Sequence, residues 1–317
     1  MYYWGMFNFL YCFDKNYNKM AFTSMISLLD TVDEKINIFI IHQKKSINKI
    51  IPEKIQHHKN LNNLEIFEFS NLDNKFPNVK TSHISDATYY RLFLDEYLDS
   101  QLDFLIYLDA DVVAISNPLP YFGVKIKNIT NKNYAIAAYT HETIPKNDKR
   151  SISLGITKGK YFNAGVMVID MVKWQELEIK KQAIKIIEEK NEKLTLWDQD
   201  VLNIIFNGNY EEIQKEFNYN VNLLTYSSED KKYIDEKISL LHYFGKTKPW
   251  SISGLCYEIS EYYQKEYRKI YSNKYHVVSN DKKTQLKKLI LILKTGQLSS
   301  KENYSSFLKA SIVSFFK

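Results

Sequence analysis

Glycine and proline are scarce in this chain, 9 and 6 of 317 residues, which excludes collagen-like, low-complexity and loop-dominated architectures. Cysteine is scarcer still. Cys12 and Cys256 make neither a disulfide framework nor a metal-ligand spacing, so a reducing compartment is expected. No apolar run is long enough to span a bilayer. Met1 to Phe13 is apolar, but it has no basic start and no small-residue cleavage site and runs straight into Asp14, so it reads as a first strand rather than a leader. The sequons Asn128-Ile-Thr130 and Asn303-Tyr304-Ser305, with no such leader, count as coincidence. A Gly-rich phosphate loop is also missing, and Gly245-Lys246-Thr247 has Leu240 where such a loop needs its first glycine, which argues against a nucleotidyl or phosphoryl transferase.

What is present is 44% hydrophobic residues, enough for a large core in one big α/β domain or one domain with an appendage. The 24 Tyr and 18 Phe accompany abundant Lys, Asn and Ile, a mix that reads as coding bias. The formal net charge is +6, and the last fifty residues hold many lysines and few acids, so a polyanionic surface is expected near the C-terminus. Nucleic acid is not the expected partner, because the basic residues cluster in the tail instead of interleaving with a recognition module.

The stretch from Asp103 to Asp111 organises the rest. Phe104 to Leu108 is apolar without alternation, which predicts a strand covered on both faces, and it ends in Asp109 and Asp111. Ligands of open α/β sheets bind beyond such strand ends. Two carboxylates this close repel unless one is protonated or a cation lies between them, and a hard divalent ion is the economical solution.

Strands are expected at Phe7 to Phe13, Ile36 to Ile41, Leu64 to Phe69, Tyr134 to Tyr139 and Val166 to Ile169, alternating with helices, the pattern of a parallel or mixed sheet clad by helices. Asp14 and Asn16 sit where N-caps of the first helix belong. Ser85 or Asp86 opens a helix carrying Arg91, for which a solvated arginine is the simplest reading from its neighbours alone. Val112 to Ile115 continues extended, and Thr140 to Lys160 reads as a long mobile loop. Small residues in Tyr161 to Gly165 allow close approach to the backbone, and Asn163 offers a donor and acceptors. Trp174 to Lys190 and Val201 to Phe206 read as helices, the second opened by Trp197-Asp198-Gln199-Asp200, of which one acid suffices as a cap. His242, at a strand end, becomes a third metal ligand only if the fold brings it to the acids, and Lys246 and Lys248 after it suit phosphate. Glu261 to Tyr275 is a Tyr/Lys-rich helix, and Asp281 to Lys317 mixes Leu286, Leu289, Ile290 and Leu293 with lysines before an apolar terminus, as in a basic amphipathic helix.

Six segments in one order, Asp14-x-Asn16-Tyr17, His83-Ile-Ser85 through Arg91, Tyr107-Leu-Asp-Ala-Asp111, Phe162-Asn-Ala-Gly165, Asp198-Gln-Asp200 and His242 through Trp250, resemble glycosyltransferase family 8, and most closely its bacterial lipopolysaccharide galactosyl- and glucosyltransferase branch. The resemblance covers residues 7 to 250 and implies a GT-A fold, a Rossmann-like mixed sheet flanked by helices that binds a nucleotide sugar. Residues 1–260 would be the catalytic domain and 261–317 a basic helical region that meets an anionic membrane. It further implies a UDP-hexose donor, Mn2+ or Mg2+, retention of anomeric configuration, a saccharide acceptor and work at the cytoplasmic face of the inner membrane. Asp109, Asp111 and His242 resemble the metal ligands, and Asp14 and Tyr17 the uracil and ribose contacts. Gly245 and Lys248 resemble the diphosphate turn, Arg91, Asn163 and the Asp198-Gln199 pair the sugar-binding group, with Gly165 a further donor-binding position and Asp198 and Gln199 the expected catalytic residues. Gln199 stands at the family's nucleophile-like position, and an amide is a poor nucleophile. Where close relatives place an acceptor-side acid, this chain has Tyr139-Thr-His-Glu142, which leaves His141 or Glu142 as a substitute or implies a different acceptor. The competing expectation is a non-catalytic sugar-nucleotide or glycan-binding module on the same fold.

Overall fold

β1, Asn8–Phe13, is buried along its whole length. Phe9, Tyr11 and Phe13 enter one apolar cluster and Leu10 and Cys12 another, as the two faces of a strand require. β4, Phe104–Leu108, divides the same way, Ile106 and Leu108 to one side and Leu105 and Tyr107 to the other. Burying one such aliphatic or aromatic side chain is worth about 1.5–3 kcal/mol, and double coverage explains why these runs lack polar alternation. The structure is a computed structural model that describes residues 5–70, 86–98, 102–145, 147–279, 282–295 and 304–315. The expected His83 to Ser85 segment lies outside the described residues.

With β2 (Ile36–His42), β3 (Leu61–Glu68), β6 (Ile136–Thr143), β7 (Lys160–Asp170) and β8 (Glu211–Glu212), the main sheet has the order β3-β2-β1-β4-β7-β6-β8. β1 is parallel to β2 and β4, while β7 runs antiparallel to β4 and β6, so the sheet is mixed. A second sheet pairs β10 (Leu240–Tyr243) antiparallel with β5 (Val112–Ala114) and parallel with β9 (Tyr219–Val221). The chain leaves the first sheet after Leu108 and enters the second at Val112, so Asp109-Ala110-Asp111 is the crossing between them.

Several expectations are corrected. Helix α1, Asn18–Thr31, has Tyr17 as its N-cap with no side-chain cap; Asp14 instead turns back to accept from the Asn16 backbone and amide at 2.9 and 3.1 Å. Residues Asp86–Phe93 wind as a 3-10 helix, which brings i and i+3 side chains into line, so the Arg91 Nε–H reaches back to Thr88 O at 3.2 Å. Beyond α2 (Leu119–Lys132), the expected loop after Thr140 holds the end of β6 and a short helix α3, Lys149–Leu154, capped by Asp148 and stopped by Gly155 in the left-handed region. The single helix expected from Trp174 is two, α4 (Met171–Glu176) and α5 (Ile179–Lys190), because Glu178 takes a φ of 48° between them. After α6 (Trp197–Phe206) and α7 (Ser228–Lys237), the helix expected to reach Tyr275 ends sooner, as α8, Ser260–Ile270. Its Tyr263 and Tyr267 belong to the main core.

The tail forms α9, Lys282–Thr295, and α10, Tyr304–Ser314. Leu289, Ile292 and Phe307 pack with Ile252, Leu255 and Tyr275, while Leu286, Ile290, Leu291, Leu293, Ile312 and Val313 stay exposed. Among the described residues no helix is long and apolar enough to cross a membrane.

Candidate functional site

The crossing between the sheets places the two acids, and the second sheet supplies the third group. His242 pairs with Val112 in the β10–β5 ladder, and the Tyr243 N–H donates to Asp111 O. His242 Nε2 lies 3.2 Å from Asp111 Oδ1 and 3.9 Å from Asp109 Oδ2, and one donor atom from each of the three residues falls within 4.8 Å of the others. Two carboxylate oxygens and an imidazole nitrogen at such separations fit a divalent cation, for which neighbouring ligands sit about 3 Å apart. Gly165 makes the room. A Cβ there would stand 2.3 Å from His242 Cε1 and 2.8 Å from Asp109 Oδ2, so this position excludes a side chain for the sake of the triad. Lys248 donates to Asp111 Oδ2 at 2.7 Å and to Tyr243 O at 2.6 Å. Burial opposes ionisation of Asp111, but Lys248 and His242 outweigh it and hold the acid well below the usual carboxylate range.

Arg91 is not a solvated arginine. It is 4% exposed, lies over the Tyr107 ring, and donates to Asp109 Oδ1 at 2.9 Å and Ala164 O at 2.6 Å. Its Nε stands 2.9 Å from Asp198 Oδ2, yet the one Nε–H points to Thr88 O, so charge attraction rather than a hydrogen bond holds that oxygen. One guanidinium thus joins the candidate metal acid Asp109 to Asp198. Burial works against its charge, and Asp109 and Asp198 more than compensate, raising its pKa. Asp198 is pushed up to about 7 by burial, with Asp109 adding and Arg91 opposing.

The Asp-Gln-Asp segment divides its labour. Asp200 is fully buried and accepts from the Thr195 and Leu196 backbones at 2.8 Å each, and from Tyr161 and Arg150, so it ties the chain before α6 to its first turn; neither acid is the expected cap, since the N-cap is Leu196 with no side-chain cap. Gln199 Oε1 accepts from Ala164 N–H at 3.1 Å, which ties α6 to β7 beside Gly165. Asn163 Oδ1 accepts from Gly165 N–H and from the Asn218 amide, both at 2.9 Å. Asn218, which no sequence motif singled out, also accepts at its Oδ1 from His242 Nδ1 at 2.9 Å.

At the rim, the Tyr17 ring meets Trp250 edge-on at 6.3 Å, linking the end of β1 to the turn that carries Lys248. Burial, then the charges of Asp111, Asp14 and Asp109, raise the Tyr17 phenol, which sets it beside the acids. Gly245 adopts a φ of +84°, open to glycine without strain. His141 packs 5.0 Å from the exposed Phe244, and Glu142 beside it is exposed. Burial lowers the His141 pKa, with Glu142 opposing and His242 adding.

A mixed sheet that hands two acids to a second sheet at its strand end is the architecture of the GT-A class of nucleotide-sugar-binding folds. The solved structure of galactosyltransferase LgtC with donor and acceptor sugar analogues superposes with a TM-score of 0.68 at 22% identity, over 83% of this chain and 96% of that one. The chain belongs to glycosyl transferase family 8, whose family model matches residues 8–253. The lipopolysaccharide 1,2-glucosyltransferase of Escherichia coli K12 is 34% identical over 52% of this chain and 49% of its own length. The lipopolysaccharide 1,3-galactosyltransferase of Salmonella typhimurium is 32% identical over 58% and 54%. The match thus spans about half the length of these relatives.

Proposed function

We propose that this chain is a retaining, divalent-metal-dependent hexosyltransferase that moves glucose or galactose from a UDP-sugar to a saccharide acceptor in lipopolysaccharide or lipooligosaccharide assembly. The observation that carries the reading is the Asp109, Asp111 and His242 cluster, joined through buried Arg91 to Asp198. The family and the names of its relatives support it.

In this reading Asp109, Asp111 and His242 hold Mn2+ or Mg2+, which when bound neutralises charge on the departing UDP. Lys248 brings a second positive charge to the diphosphate, Gly245 lets the backbone turn close to it, and Asp14 and Tyr17 hold uracil and ribose. Arg91, Asn163 and Gly165 line the sugar side. Retention requires either a covalent intermediate or attack on the leaving-group face. Gln199 is a weak nucleophile whose amide oxygen already accepts from Ala164 N–H, so same-face attack is favoured, with Asp198 stabilising the positive charge on the sugar and the leaving phosphate oxygen taking the acceptor proton. Asp198 Oδ2, buried with no hydrogen bond, has capacity for that task.

Residues 1–260 form the catalytic body in this proposal, and 261–317 the basic C-terminal region, with α8 as the join. The exposed apolar residues of α9 and α10 among lysines support peripheral attachment to an anionic membrane, at the cytoplasmic face where the acceptor would be built. The test is UDP release from a panel of UDP-hexoses with Mn2+, repeated with candidate saccharide acceptors. Tight UDP binding with neither hydrolysis nor transfer for any donor would overturn the proposal in favour of a binding module.

A further inference from the structure

Asn218 is 0% exposed and lies behind His242, on the side of the ring away from the acids. A 3-10 turn, Lys215–Phe217, delivers it to the start of β9, which runs parallel to β10 and sets Asn220 opposite His242. The polar atoms around it form a chain whose direction is decided at one end. A backbone N–H can only donate, so Asn163 Oδ1, 2.9 Å from Gly165 N, is an acceptor. Asn218 meets that same oxygen at 2.9 Å and must present its NH2 group. Its Oδ1 is therefore the atom 2.9 Å from His242 Nδ1, and an amide oxygen can only accept. It follows that Nδ1 carries a proton, which leaves Nε2, facing Asp111 and Asp109, as the nitrogen whose lone pair a bound cation would take.

We infer that Asn218 is a positioning residue: the directed chain from Gly165 N–H through Asn163 and Asn218 fixes the tautomer and orientation of His242 and so preforms the cation site. The inference rests on the metal reading above. It adds that Gly165 acts twice, by the space it leaves and by the N–H that starts the chain, and that Asn163 supports the metal side as well as any sugar contact. Both amides are enclosed between β7, β9 and β10, where water cannot replace a lost partner.

The test uses the full chain. Asn218→Leu removes acceptor and donor at similar volume, and Asn218→Asp keeps an acceptor facing Nδ1. Mn2+ affinity is measured by calorimetry. Ring 15N spectra of histidine-labelled, metal-free protein are recorded where the neutral ring predominates, with His242 assigned by its loss in His242→Gln. The native ring should be protonated at Nδ1. Asn218→Leu should bind Mn2+ about 10–100-fold more weakly, with ring signals moved toward the other tautomer, and Asn218→Asp, which keeps the acceptor for Nδ1 but loses the donor to Asn163, should recover part of the affinity. A native ring protonated at Nε2 would overturn the inference however Asn218→Leu folds. So would native Mn2+ affinity and unchanged ring signals in Asn218→Leu. A native chain that binds no Mn2+ refutes the metal reading itself, a result read on unsubstituted protein and therefore distinct from failure of the Asn218 relay.

Discussion

Replacing Gly165 with alanine adds one methyl group at a crowded point of the site, between two candidate metal ligands. The new Cβ would lie 2.3 Å from His242 Cε1, 2.8 Å from Asp109 Oδ2 and 2.9 Å from His242 Nδ1, whereas ordinary contact begins at 3.4 Å. Something must therefore move by roughly 1 Å, several times the ±0.2 Å within which metal–ligand distances are held. Neither neighbour can give freely. His242 is held by Asn218 and by its strand, and Asp109 by Arg91 and Tyr107. Overpacking of this kind costs about 1–3 kcal/mol of stability. The larger effect should be on the cation, with Mn2+ affinity lowered at least about 10-fold, since disturbing groups that merely orient ligands already costs that much. Calorimetric Mn2+ titration, with a urea unfolding curve for each protein, separates the two effects. A Gly165→Ala protein that folds and binds Mn2+ like the native chain would refute the steric account and the placement of the cation against β7.

Asp198→Asn should lower kcat about 100- to 1000-fold, as loss of one transition-state electrostatic partner does, with little change in UDP-sugar affinity; an equal loss in binding alone would count against its role. Because Asp198 is pushed up to about 7 by burial and acts in its ionised form, turnover should climb as pH rises through about 7 and level off about a unit above it. The same shift sets a sign for stability. The native chain keeps a proton at Asp198 that the unfolded chain has lost, so urea stability should fall as pH rises from about 4 to about 7, a slope that Asp198→Asn removes. Reversing the exposed lysines Lys283, Lys287 and Lys294 to glutamate should weaken binding to anionic vesicles by about 1 kcal/mol or more per site while leaving UDP release intact. Deleting the tail is a poorer test, because Leu289, Ile292 and Phe307 cover Ile252 and Leu255 close to Lys248, and unchanged vesicle binding by the lysine variant would remove the membrane proposal.

Much of the frame was legible because it depends on short-range pattern. Continuous apolar runs marked β1, β2 and β4, since a strand buried on both faces cannot alternate. The two acids were visible at the end of one of them. Less legible were α2, α7, β8 and β9, whose mixed composition carries weak periodicity, and the breaks at Glu178 and after Ile270. In Asp198-Gln199-Asp200 the expected capping acid is not found: Leu196 is the N-cap, with no side-chain cap, and both acids lie inside the first turn. Asp200 turns inward to the Thr195 and Leu196 backbones while Asp198 faces Arg91.

By itself the chain determined where the long apolar strands form, that two carboxylates stand together at the end of one, and, through six colinear motifs, the family. Only the tertiary structure decided that the chain changes sheets across those carboxylates, between Leu108 and Val112, so that an antiparallel ladder with β10 delivers His242 to them. It also decided that Arg91 is buried between Asp109 and Asp198, and that Asn218 stands behind His242. The reason is the range of the interactions. Strand pattern and caps act over a few residues, whereas the polarity of a hydrogen-bond chain and the crowding at Gly165 exist only where segments far apart in the chain are packed against one another.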